Sequence, residues 1–357
     1  MIATRVRAPG GDAARVPSVV RASVPVIGAS FFLLGSALLG LAVGPVHVGA
    51  IAIARAALSH VPFLHVHSSM SAEDSAILWQ LRAPRVVLAM LVGGMLALAG
   101  ASYQGVFRNP LADPYLLGIA AGAGLGATIA IVYGHGTVDR YDLVPLISFV
   151  GGSIAVVGTY LLGRSAGGRS PTTMILAGVT MMSFLTAMQT FVQQQHSQSL
   201  QEVYSWILGR LDTSGWHDVA LVSPYIAISA VAILLHRRVL DVLSLGDEEA
   251  ASLGINVART RLIVVAFATI GTAAAVAVSG LIGFVGIIVP HAIRLTLGTS
   301  YRLIIPLSLL LGGGFLVLAD VLARTVMSPA ELPIGVVTAF CGAPFFAIVL
   351  RTSKSFT

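Results

Sequence analysis

Four groups of residues in this sequence have the types and spacing to do chemistry. Arg82-Ala-Pro-Arg85 sets two guanidiniums three residues apart, and Asp320 precedes Arg324 by four, the spacing of an ion pair along one helix face. Asp247, Glu248 and Glu249 form the one acidic cluster. His65-Val-His67, with His47 and His60, makes a histidine-rich stretch. Planar arginine forks suit bidentate pairing with carboxylates. Asp320 beside Arg324 reads as a locally neutralised structural pair ahead of a proton relay. The acidic triplet lacks the Asp-Asp-x-x-Asp pattern of an intramembrane transferase and suits the first turn of a helix, where the macrodipole favours anions. The histidines have no second ligand pair at zinc spacing and read as exposed loop residues, not a metal site.

Other chemistries are missing. A phosphate-cradling loop needs glycines followed by Lys-Ser or Lys-Thr. The only lysine, Lys354, stands in Arg351-Thr-Ser-Lys354 with no glycine loop before it, so this chain is not expected to hold ATP or magnesium itself. There is no His-Glu-x-x-His pair and no Gly-x-Ser-x-Gly elbow, so neither catalytic residues nor a metal site are assigned. Ion-coupled carriers place carboxylates at mid-membrane depth, and the apolar segments here carry none apart from Asp320.

The elements that must position these residues follow from composition. Of 357 residues 56% are hydrophobic and 10% charged, and mean hydropathy is +0.90. A soluble domain carries about 25% charge, so the excess apolar length must face lipid. A single cysteine, Cys341, excludes a disulfide scaffold and reads as a small apolar filler within a span. The pI near 9.9 comes with no basic run interleaved with aromatics, which argues against nucleic acid. Crossing a bilayer takes about 20 apolar residues. Spans are predicted near 24–45, 85–107, 114–134, 143–163, 171–193, 218–236, 261–281, 303–323 and 335–351, with a shorter run at 283–298. The run Val24–Gly44 is too long for a signal peptide core and reads as a retained span. The fold class is an all-α polytopic membrane protein: a tail over 1–23, one transmembrane domain over 24–351 and a tail over 352–357. With ten spans and both termini cytoplasmic, 15 of the 21 basic residues fall inside, in keeping with the positive-inside rule. Arg82, Arg85 and Arg324 are among the outer exceptions.

Three connecting regions stand out. Leu243 to Gly254 is predicted to form a short helix with a glycine cap, either a plain connector or a docking knob that presents Leu245, Ala250 and Leu253. Asn109-Pro-Leu-Ala-Asp-Pro114 is a stiff turn, either punctuation or the lip of a gate. Residues 196–217 carry Tyr204, Trp206 and Trp216, which suit a helix at headgroup level. On span five Ser183, Thr186 and Thr190 share one face, as do Thr186, Gln189 and Gln193. With Met182 they could line a pathway, and ordinary small-residue helix packing explains the same letters. Arg82-Ala-Pro-Arg85 and Arg259-Thr-Arg261 each open a glycine-rich span, from opposite sides, the sense of an inverted repeat.

From Arg82 to Arg351 the sequence resembles the FecCD-type permeases of type II ABC importers, which carry iron-siderophore complexes, haem and vitamin B12. The resemblance rests on Arg82-Ala-Pro-Arg85, Arg108-Asn-Pro-Leu-Ala-Asp-Pro114, Leu117-Gly118, Leu245-Gly246 with Leu253-Gly254, Gly283-Phe-Val-Gly286 with Pro290-His291 and Arg294, and Ala330-Glu-Leu-Pro-Ile-Gly-Val-Val337 with Gly342-Ala-Pro344. It implies a vitamin B12 permease-like fold of ten spans in a bacterial inner membrane. It also implies a homodimer, two cytoplasmic ATP-binding cassette subunits that hold ATP and magnesium, and a periplasmic or lipid-anchored substrate-binding protein. By the same resemblance Arg82, Arg85 and Arg324 are sockets for carboxylates of that binding protein. Leu245, Gly246, Asp247, Glu248, Glu249, Ala250, Leu253 and Gly254 match the coupling helix that seats in the ATPase. Asn109 and Leu111 match the cytoplasmic gate. Pro171-Thr172 stand where the family has small hydroxyl residues, so Thr172 alone keeps that chemistry. The alternative function is an ion-coupled secondary transporter that works without an ATPase.

Overall fold

The computed structural model describes residues 18–44, 49–59, 70–134, 140–166, 171–212 and 215–352. The histidine stretch formed by His47, His60, His65 and His67 lies outside the described residues, as does most of the predicted tail 1–23. The described residues form fourteen α-helices: α1 (Ser18–Ala42), α2 (Ala50–Ser59), α3 (Ala72–Ala76), α4 (Ala83–Phe107), α5 (Ile119–Tyr133), α6 (Arg140–Ser165), α7 (Pro171–Gln195), α8 (Leu200–Ile207), α9 (Trp216–Leu243), α10 (Asp247–Ser252), α11 (Val257–Ser279), α12 (Val285–Leu297), α13 (Tyr301–Thr325) and α14 (Ile334–Thr352). Seven are long and apolar enough to cross a membrane, and α5, α12 and α14 are shorter apolar helices in the predicted order.

The third span needs a correction. The helix begins at Ile119, not 114, and has 15 residues, about 22 Å at 1.5 Å per residue. Pro114 and a left-handed Gly118 (φ +84°) hold the preceding residues in a turn.

α4 is apolar on every side and buried along nearly its whole length, the mark of a helix at the centre of a bundle. It packs against α1, α9, α11, α12 and α13. Glycines let backbones meet at two of these crossings. A Cβ on Gly93 would fall 2.4 Å from the Gly312 oxygen of α13, and one on Gly100 would fall 1.9 Å from the Gly286 oxygen of α12. A similar glycine crossing, Gly122 against Gly151, joins α5 to α6. By contrast α7 contacts chiefly α5 and α6 and keeps a long exposed face. One expectation fails here: Cys341 lies within α14 as predicted but is exposed instead of filling the interior. Of the three aromatics in 196–217, Tyr204 and Trp216 are exposed and Trp206 faces inward on α8.

Entry into α4 shows how one proline shapes a junction. Ile77–Arg82 is a π turn, in which the Ala83 N–H reaches back to the Leu78 oxygen. The next bond of that pattern would be donated by residue 84, but Pro84 has no N–H. The Trp79 oxygen accepts instead from the Trp216 indole Nε1 at 2.8 Å, which ties the start of α9 to the π turn. At the opposite end of the bundle Asp241, near the end of α9, accepts from the Tyr301 N–H and the Ser300 hydroxyl and so caps α13 from a neighbouring helix.

Candidate functional site

Because α4 is capped by Arg82 at one end and Arg108 at the other, it carries one candidate site at each end. At the Arg108 end the helix closes with Arg108 in the left-handed region (φ 50°), which turns the chain into Asn109–Gly118. The Asn109 side chain accepts from the Leu111 N–H at 2.9 Å, and Asp113 accepts from the Tyr115 N–H at 2.6 Å, so two side chains hold the turn. Gln104 donates to the Ala112 and Gly286 oxygens, and the Tyr115 hydroxyl bonds both the N–H and the oxygen of Ile282. The turn is thereby stitched to the break between α11 and α12. A Cβ on Gly286 would lie 2.5 Å from the Pro114 ring, so this glycine makes room for the turn.

The predicted connector is present beside that turn. α10 has six residues, Gly246 (φ +144°) admits the chain and Gly254 (φ +80°) ends it, conformations that glycine alone adopts readily. Asp247, Glu248 and Glu249 occupy its first turn. Leu245 and Leu253 are about two-thirds exposed. Ala250 is fully buried, which corrects its assignment to the presented face: it points back into the bundle as the connector's anchor.

The decisive contact at this end was invisible as a motif. Asp247 takes Arg108 at 2.9 Å and Arg261 at 2.7 Å on the same carboxylate, joining the turn after α4, the connector and the second turn of α11. The only sequence signal was the presence of Arg108 and Arg261 in motifs read separately. Asn109 is half-buried and Leu111 exposed, while Thr172 is exposed in the first turn of α7; among the described residues no hydrogen bond joins Thr172 to either. His291 meets Phe345 of α14 edge-on and Phe346 at a tilt, and the Arg294 guanidinium lies 5.9 Å from the centre of the Tyr301 ring.

At the other end Arg82, Arg85 and Arg324 come together, but not as three open sockets. The last carbonyls of a helix lack partners within it. Here Arg82 donates to the Leu41 and Ala42 oxygens and Arg324 to those of Gly40 and Val43, so two buried guanidiniums cap α1 and favour its dipole. Arg85 forks onto Asp320 at 2.8 Å and onto Glu331 at 2.7 Å. Asp320 is buried and shared with Arg324 at 3.0 Å, whereas Glu331 is 44% exposed. Asp320 is therefore a neutralised structural carboxylate, and Arg85 with Glu331 forms the accessible part of the cluster.

Span five divides as well. Ser183, Thr186 and Thr190 are exposed, and the hydroxyls of Ser183 and Thr190 donate back to the carbonyls one turn earlier, those of Val179 and Thr186. Met182 and Gln193 are half-buried. Gln189 is buried and donates to Thr128 on α5, which removes it from any lining: it fastens α7 to α5.

The model of the FecCD transport family matches residues 32–352. The chain belongs to this family. Among FecCD-related proteins, the Bacillus subtilis ABC transporter permease protein YvrB is 38% identical over 330 residues, 91% of this chain and 92% of that protein. The cobalamin import system permease protein BtuC of Halobacterium salinarum is 40% identical over 275 residues, 77% of this chain and 73% of that protein. A solved structure described as an inward-facing conformation of a metal-chelate type ABC transporter superposes with a TM-score of 0.77 at 27% identity, covering 92% of this chain and 99% of the other. The FecCD chain is thus a multi-pass membrane transport subunit, and the two ends of α4 are where its clustered charges lie.

Proposed function

We propose that this FecCD chain is the permease subunit of an ATP-driven importer that moves a metal chelate (an iron-siderophore complex, haem or cobalamin) into the cytoplasm. The observation that carries the reading is the Asp247 clamp, which fastens a connector with two exposed leucines to the turn beneath the central helix. A chain whose sequence carries no phosphate-cradling lysine loop needs such a lever, and Leu245 and Leu253 offer a separate ATPase two apolar contacts beside Glu248 and Glu249. In this reading the Asp247 end and both termini face the cytoplasm, and the Arg85 end faces outward.

Two ATPase subunits, which hold ATP and magnesium, close on nucleotide and push α10. Asp247 passes the displacement to Arg108 and Arg261, hence to the gate turn of Asn109 and Leu111 and to α11. A second copy of the chain supplies the other wall of the pathway, with Met182, Ser183, Thr186, Thr190 and Gln193 as its soft, weakly binding lining. The periplasmic or lipid-anchored receptor docks by carboxylates at Arg85, the reachable arginine, while Arg82 and Arg324 hold α1 in place behind it.

The test is uptake into liposomes. Chelate accumulation is expected only with the ATPase and receptor present and ATP inside the compartment that the ATPase faces. Uphill uptake by this chain alone, driven by an ion gradient, would establish the secondary-transport alternative, which lacks the mid-membrane carboxylate it needs.

A further inference from the structure

Next to the Asp247 clamp the structure contains a cavity of about 800 Å³ between the ends of α4, α6, α7 and α11. Its apolar walls include Phe107, Tyr160, Met174 and Leu262, and Arg164, Arg259 and Arg261 line it together with Asp247. The charges do not balance. Asp247 is already divided between Arg108 and Arg261, and among the described residues Arg164 and Arg259 form no salt bridge. The Nε of Arg261 is buried with no hydrogen-bond partner. A cavity of this kind fits a molecule that is anionic at one end and apolar along its body.

Its place narrows the class. Arg164 is in the last turn of α6 and Arg259 in the first turn of α11, both at the end of the bundle that carries the connector. Leu161 and Leu262, 57% and 50% exposed, flank these arginines on the same two helices. Basic pockets between membrane helices on the cytoplasmic side suit the headgroups of anionic lipids. We propose that this cavity binds an anionic phospholipid of the cytoplasmic leaflet, its phosphate on Arg164 and Arg259 and an acyl chain along Phe107, Tyr160 and Met174. The proposal rests on the sidedness given above; binding itself is measured without transport, so failure of one reading is separable from failure of the other. A lipid held here braces α6 and α7 against the clamp that carries the connector's motion.

Native mass spectrometry of the purified full chain, exchanged with phosphatidylglycerol or phosphatidylcholine of matched acyl chains, reads the binding directly. Phosphatidylglycerol should be retained over phosphatidylcholine by about tenfold or more, as expected for two arginines near an anionic headgroup. Arg164→Gln with Arg259→Gln should abolish that preference. Met174→Trp, which fills the apolar part and leaves every arginine in place, should expel the lipid as well and serves if the double variant misfolds. Equal retention of both lipids, or unchanged preference in the variants, overturns the proposal. Displacement of the lipid by millimolar inorganic phosphate overturns the lipid as source in favour of a soluble anion. Loss of ATPase binding in the double variant with lipid retention intact also overturns it and assigns the arginines to a protein partner.

Discussion

At the scale of single residues, what matters is which carboxylate each guanidinium holds. Asp320 and Arg324 were readable as an i,i+4 pair. The share that Arg85 takes of Asp320 was not, because 235 residues separate them and nothing local encodes the meeting. Glu331 occupies Arg85 as a partner carboxylate would, so under the proposed docking it is a competitor for the same guanidinium. Arg85→Gln should weaken receptor binding about tenfold, on the scale of one charge-assisted pair, and Glu331→Gln should strengthen it, since it removes the carboxylate that holds both Arg85 Nη atoms. Surface plasmon resonance with the reconstituted permease checks both signs, and identical shifts for the two variants would refute the competition. Asp247→Asn separates the clamp from its function. With the Asp247 side chain 41% exposed, its loss should move the melting temperature by only a few degrees. Uptake should nevertheless fall at least tenfold while ATPase subunits still co-purify; unaltered uptake would show that the connector transmits force by another route.

At the scale of elements, hydropathy placed the predicted spans in their order but misjudged several of their ends, by up to seven residues at the end of α9, and most consequentially the start of α5. Pro110 and Pro114 announced a turn, yet nothing in the letters said that Gly118 would extend it and leave α5 only 15 residues long. The glycines were visible as letters without meaning until their neighbours were known. Gly100 meets backbone, and Gly28 on α1 has nothing within 4 Å. Gly100→Ala should therefore destabilise the bundle by about 1–3 kcal/mol through overpacking, whereas Gly28→Ala should be neutral or slightly stabilising. Thermal unfolding in detergent measures both, and equal melting temperatures would mean that α4 and α12 separate without cost. The hydroxyl and amide letters of α7 were also ambiguous in sequence. Its exposed and buried positions alternate by helix phase, and only the packing on α5 shows that Gln189 turns inward while Thr186 and Thr190 do not.

For the molecule as a whole, the glycine crossings of α4 with α12 and α13, and of α5 with α6, make bodies that resist internal sliding. The Asp247 clamp and the Asn109–Gly118 turn lie between these crossings, where side-chain contacts and not backbone ones join the helices. The composition made the membrane class plain, and the ordered motifs made the family plain. Neither disclosed how the first helix is retained. Its final carbonyls are gripped by Arg82, from the π turn before α4, and by Arg324, from near the end of α13. A chain begun after residue 44 would take from Arg82 the Leu41 and Ala42 oxygens and from Arg324 those of Gly40 and Val43, and leave Arg324 leaning on Asp320, a loss that is costly for buried cations. The amino-terminal helix, bare along most of its outward face, is thus the counterpart that lets those positive charges exist indoors, and trimming it should cost the protein its assembly and not merely its edge.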